Sequence, residues 1–146
     1  LRADEQQPTA RQGAQKKMLE IRIDIRTRSK TNERGHWSKR YRKTRKERQA
    51  TQVALLVAGA RQPPLPAKVE LCRLAPRALD DDNLRGALKA IRDELADWLG
   101  LPNDRDPRVS WHYSQAKGKV REYAVLVTIS RCQQPNANPG GVAGND

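Results

Sequence analysis

Residues 79–100 read LDDDNLRGALKAIRDELADWLG, and residues 103–109 read NDRDPRV. The first stretch decides the fold. Leu84, Leu88, Ile91, Leu95 and then Trp98 or Leu99 recur at alternating steps of four and three. That spacing puts one apolar stripe on a helix over about Asn83–Leu99. Asp82 is a natural N-cap because its carboxylate can accept from the free N–H groups of the first turn. Gly100 followed by Pro102 is a natural stop.

Outward from this helix the period changes from 3.6 to two. Upstream, Leu19, Ile21, Ile23 and Ile25 alternate with Glu20, Arg22, Asp24 and Arg26, which predicts a strand with one dry face. A second strand starts at Ala67, Val69 and Leu71 and runs to about Leu74, before the kink at Pro76. Downstream, Val109, Trp111 and Tyr113 alternate with polar residues, Lys117–Lys119 makes a turn, and residues 122–130 form a β-branched run. Between the first two strands a helix is expected over about Ser38–Gly59, ended by Gly59 and the Pro63–Pro64 pair. Its first half is basic nearly all round. Ala50, Val53, Ala54 and Val57 supply the apolar stripe of its second half. The order is β-α-β-α-β-β, and two helices packed on one mixed sheet make an α+β domain. That domain is expected over residues 18–132. Residues 1–17 are polar and without period, and residues 133–146 are rich in Pro, Gly and Asn, so both ends are expected to be disordered.

The balance of charge narrows the function. Twenty-nine Lys and Arg stand against seventeen Asp and Glu, a net +12 in 146 residues. Apolar residues make up 36% and aromatics 4%, with no Phe, which rules out a large aromatic core, and no apolar run reaches membrane-spanning length. Two cysteines are too few for a disulfide scaffold or a zinc site, so reduced thiols and a cytoplasmic setting are expected. His36 and His112 lack plausible nucleophile partners, and there is no Gly-rich phosphate loop. The charge is also uneven. Residues 26–48 hold eleven basic residues and two acidic ones, whereas residues 80–106 hold eight acids and four bases. The basic run carries Asn32, Arg34, Trp37, Lys39, Arg40, Arg42, Lys43, Arg45 and Lys46, and its interleaved aromatics, Trp37 and Tyr41, suit either unpaired bases and sugar faces or a role as core anchors at the helix entrance. A solvated helix face or a flexible arm would have the same composition.

Carboxylates near phosphates repel them unless a divalent cation lies between. Asp80, Asp81 and Asp82 sit at a strand-to-helix junction. In an extended chain Asp80 and Asp82 point to one side and Asp81 to the other. A simple helix cap with surface acids around it is the alternative. A second acid pair, Asp104 and Asp106, follows in the next loop.

Taken together, D-D-D-N-L, the amphipathic helix and the NDRDPRV loop resemble the RusA family of Holliday-junction resolvases. The TNERGHW entry at residues 31–37 is similar to that of phage members, and the resemblance covers about Met18–Ser130. It implies a Mg²⁺-dependent endodeoxyribonuclease, with Mn²⁺ able to substitute, that acts on branched DNA as a homodimer. Carried over by position, the paired aspartates fall on Asp80 and Asp82 and the later one on Asp106, with Asp104 as its rival. The family's helix lysine has no direct counterpart: Gly86 stands four residues after Asp82, and Lys89 matches only with an insertion. Lys89 lies within ~20° of the helix face of Asp82 but ~10 Å along the axis. It also sits four residues before Asp93, where a plain ion pair would explain it. Asp106 must return along the length of the helix, or the helix must cross obliquely, or Asp106 completes the site of a second subunit. The implied catalytic set is Asp80, Asp82, Asp106 and Lys89, the three aspartates holding the metal. Lys89 or Arg85 would offset charge at the phosphorus. The alternatives are a non-catalytic basic nucleic-acid binder of the same fold and a module that docks on an acidic protein.

Overall fold

The computed structural model describes residues 17–27 and 37–131. Four strands and two helices appear in the expected order: β1 (Lys17–Ile23), α1 (Trp37–Val57), β2 (Ala67–Ala75), α2 (Asp81–Trp98), β3 (Val109–Lys117) and β4 (Ala124–Arg131). The sheet order is β1-β4-β2-β3. β4 runs antiparallel to both neighbours, and β2 and β3 are parallel, joined through α2. The fold is thus α+β, two helices on one mixed four-stranded sheet.

Strand placement follows from patterning. Val125, Val127 and Ile129 of β4 are fully buried, and Leu126 between them is half-buried. A strand covered so heavily belongs in the middle of a sheet. β1 and β3 alternate with charged or polar residues and take the edges, where exposed polar groups discourage further pairing. The chain therefore carries β4 past β2 instead of folding back on β3. At that crossing Gly118 donates its N–H to the Ala75 carbonyl at 2.9 Å.

Both helices stop where glycine permits. Gly59 and Gly100 have φ of +63° and +79°. In each case the glycine N–H bonds three residues back and the next N–H five residues back, to Leu56 and Leu55 in α1 and to Asp97 and Ala96 in α2, all at 3.0 Å. This double closure satisfies carbonyls that a helix end leaves open. β1 ends earlier than the alternation to Arg26 predicts. The Ile25 N–H turns back to the Ile23 carbonyl at 3.0 Å, which takes the chain out of the ladder.

The core lies between the helices and one sheet face, around Ile23, Val69, Leu71, Leu88, Ile91, Leu95, Val127 and Ile129. Each such side chain contributes about 1.5–3 kcal/mol through burial. α2 packs with the predicted stripe. α1 does so only in part: Ala50 and Ala54 pack against the core, but Val53 and Val57 are 56% and 83% exposed, and the fully buried row is Glu47, Thr51 and Leu55. Polar bonds to α2 set this rotation. Arg48 reaches Glu94 at 2.9 Å and also bonds Asp97, and Gln52 donates to Glu94 at 3.0 Å. These ties leave the Val53–Val57 side facing outward. Among the described residues no helix is long and apolar enough to cross a membrane.

Candidate functional site

The basic half of α1 is open. Lys39, Arg40, Arg42, Arg45 and Lys46 are exposed and Lys43 is half-buried. Trp37 and Tyr41 are 70% and 59% exposed. Four residues apart, they lie on one side of the helix, with Arg45 continuing the row. Asn32 and Arg34 fall outside the described residues. Arg48, the last cation of the basic run, belongs to the fold: Glu94 and then Asp97 hold its guanidinium above its ordinary pKa.

The acidic stretch folds differently from the expectation. The N-cap of α2 is Asp80, not Asp82. Asp80 has extended backbone, and its Oδ1 accepts the Asn83 N–H at 2.9 Å. The cap falls there because the preceding residue is pinned: Leu79 exchanges two hydrogen bonds with the Gln115 amide, at 2.8 and 2.7 Å. Asp81 and Asp82 are consequently the first helical residues. Successive helical side chains are ~100° apart, so Asp80 and Asp82 lose the common direction that an extended strand would give them. All three are exposed. A helix N-terminus favours such carboxylates whether or not an ion is present.

The two acids of the following loop part company. Asp106 closes on Arg108: Oδ1 accepts the Arg108 backbone N–H at 2.9 Å and Nε at 3.0 Å, and Oδ2 accepts Nη2 at 2.9 Å. This fork holds the Asp106 carboxyl below the usual carboxylate range. Asp104 turns to α2 instead. Its Oδ2 lies 3.0 Å from Arg92 Nε and 3.8 Å from Lys89 Nζ. Lys89 also pairs with Asp93 at 3.3 Å, the surface ion pair its spacing allows. Of the two rivals, Asp104 is the one that meets Lys89.

Topology explains why Asp106 stays away from Asp80. The parallel register pairs Val109 with Ala67, so Asp106 precedes β3 beside the start of β2, whereas Asp80 follows the end of β2. α2, ~27 Å long, runs between them. A bound Mg²⁺ requires oxygens converging at ~2.1 Å from one point. Among the described residues no group of three or more His, Cys, Asp or Glu is placed to hold a metal ion. Asp80, Asp82 and Asp106 of a single chain therefore do not fit the expected ion.

Sequence reasoning missed an aromatic and cationic ladder between α2 and the edge strand β3. Arg85 lies over the Tyr113 ring at 5.5 Å and Arg92 over the Trp111 ring at 4.8 Å, and Arg92 also donates to the Tyr113 hydroxyl. The signal was present: Arg85 and Arg92 are seven residues apart on one helix face, and Trp111 and Tyr113 share one side of a strand. A shallow cavity of about 260 Å³ opens here between Asp81, Arg85 and the His112 edge of β3. Comparison with protein-family models, curated proteins and solved structures finds no match.

Proposed function

We propose that the chain binds branched DNA through the basic half of α1 and cuts it as a metal-dependent endodeoxyribonuclease of the RusA type. One observation carries the reading: Lys39, Arg40, Arg42, Arg45 and Lys46 are exposed together beside the open rings of Trp37 and Tyr41. Cations along a helix neutralise successive phosphates, and binding then falls steeply with salt. Aromatic faces stack on unpaired bases, which a branch point supplies and an intact duplex does not. The activity belongs in the cytoplasm of a bacterial or phage-infected cell.

The hydrolytic half is supported by the order of D-D-D-N-L, amphipathic helix and acid loop. Because one copy does not gather the acids, this half calls for a homodimer in which the acid loop of one copy meets the α2 N-terminus of the other. Asp106 would then exchange Arg108 for the shared site. Two-fold symmetry suits a four-way junction, which needs two matched nicks. A non-catalytic binder of the same fold is the second reading, favoured by the absence of a metal-ready trio among the described residues.

The test is a synthetic four-way junction incubated with Mg²⁺, with Mn²⁺ and with EDTA, using the parent chain and Asp82→Asn. The expected result is paired nicks that need the metal and vanish in Asp82→Asn while binding persists. A junction left intact by the parent chain under every metal and pH establishes the non-catalytic reading. Equal affinity for linear and branched DNA removes the preference for branches. Mixing Asp80→Asn with Asp106→Asn chains should restore part of the nicking if the acids are shared between copies.

A further inference from the structure

At the end of the sheet where β1 and β2 finish and β4 begins, three arginines from two segments meet. A cavity of about 530 Å³ is lined by Arg26, Arg73, Ala75, Pro76, Arg77 and Tyr123. Arg73 belongs to the core-facing row of β2 and is only 7% exposed. Its Nε and Nη2 point to the Thr27 hydroxyl and carbonyl at 3.3 and 3.4 Å, and Nη1 donates to the Arg77 carbonyl at 2.8 Å. These acceptors are neutral and leave the charge uncompensated. Arg26 lies over the Tyr123 ring at 4.4 Å. Arg26 and Arg77 are exposed.

None of the three forms an ion pair with a described carboxylate. Acids close by in sequence serve other groups: Asp24 and Glu122 pair with Arg22 at 2.7 and 4.0 Å, Glu122 also accepts the Lys119 N–H, and Asp80 accepts the Asn83 N–H at the start of α2. Burial above all, and then the Arg26 charge, push the Arg73 guanidinium below its ordinary pKa, with Tyr123 opposing. A buried cation with only neutral partners costs free energy that an anion would recover. Guanidinium forks match the oxygens of a phosphate group, and the cavity has the size of small-ligand sites.

We propose that this cavity is a phosphate-binding site, with Arg73 as its buried floor and Arg26 and Arg77 as its exposed arms. The phosphate belongs either to a nucleic-acid strand or to a small phosphate compound. The site shares no residue with the basic half of α1 and stands independently of the nuclease reading. Arg77 precedes Asp80 by three residues, so a strand bound here would run toward the start of α2.

The experiment titrates the full chain with inorganic phosphate, followed by calorimetry and thermal unfolding, against sodium chloride of equal ionic strength. Phosphate should bind and raise the melting temperature where chloride does not. Arg26→Ala/Arg77→Ala alters only exposed side chains. It should weaken phosphate binding by at least about tenfold, the loss of one charge-assisted contact. Arg73→Met should abolish the response. Phosphate acting no better than chloride, or binding unchanged in the double variant, overturns the site. Competition identifies the source: phosphate displacing a 5′-phosphorylated oligonucleotide points to a strand, and phosphate binding without displacement points to a small compound. Lys39→Ala/Arg42→Ala should leave the phosphate response intact. If that variant also leaves DNA affinity intact, the α1 reading fails while the phosphate site survives.

Discussion

The basic half of α1 and the acidic segment around α2 are both crowded with charge, but the fold uses them differently. Around α2, Glu94 and Asp97 hold Arg48, Asp93 and Asp104 hold Lys89, Asp104 holds Arg92, and Asp106 holds Arg108. Glu94 and Asp97 tie helix to helix and Asp104 ties loop to helix, whereas the Asp93 and Asp106 pairs are local. Along the first three turns of α1 both aromatics and every cation but the half-buried Lys43 are exposed. Charge density in a sequence is therefore a poor guide to availability. What matters is whether the fold brings the opposite charge within reach.

The largest effect that would sharpen this contrast is on DNA affinity. Replacing Lys39, Arg42, Arg45 and Lys46 by Ala removes four phosphate contacts. It should lower the slope of log K against log salt by about 3–4 and weaken binding on the order of a hundredfold at low salt. Fluorescence anisotropy over a salt series checks this, with melting temperature nearly unchanged. An unaltered salt slope would mean that these cations do not meet DNA.

On the other side of the comparison, Glu94→Ala should act on the fold. It leaves Arg48 and Gln52 without their shared partner and should cost about 1–3 kcal/mol in urea unfolding, with Arg48's solvent exposure keeping it toward the lower end. Preserved stability would show that α1 and α2 are held by apolar packing alone. Smaller still, Asp80→Ala removes the α2 cap and should cost about 1 kcal/mol, while Asp82→Ala should stay within about 0.5 kcal/mol. Equal effects of the two would move the cap away from Asp80.

The smallest effect is on acid sensitivity. Arg108 depresses the folded-state pKa of Asp106 relative to the unfolded chain. Its contribution is therefore fully present above the unfolded carboxylate pKa, ~4, and is lost as pH falls through the lower folded value. Asp106→Asn should flatten stability against pH in that acidic window only. A change confined to neutral pH would contradict the Arg108 pairing.

What was legible beforehand was local. The Leu84–Leu95 stripe, the alternation of Ile21 and Ile23, and the stops at Gly59 and Gly100 depend on helix and strand periods and on one residue's backbone freedom. These are short-range properties, so they gave element order and fold class. The α2 cap was missed by two residues because Asp80, Asp81 and Asp82 are equivalent as caps. Only the Leu79–Gln115 bonds, which join residues 36 apart, choose among them.

Long-range packing decided the rest. Which side of α1 is buried, why β4 lies between β1 and β2, and why Asp104 rather than Asp106 meets Lys89 each depend on elements brought together from distant parts of the chain. The same holds for Arg26, which meets Arg73 and Arg77 from far upstream in the chain and shares no motif with them. Sequence periodicity by itself determined which segments become helix and strand, because backbone hydrogen bonding and side-chain period act over a few residues. Only the tertiary structure decided which charges are neutralised and which remain to meet a partner, because electrostatic pairing depends on distance in space.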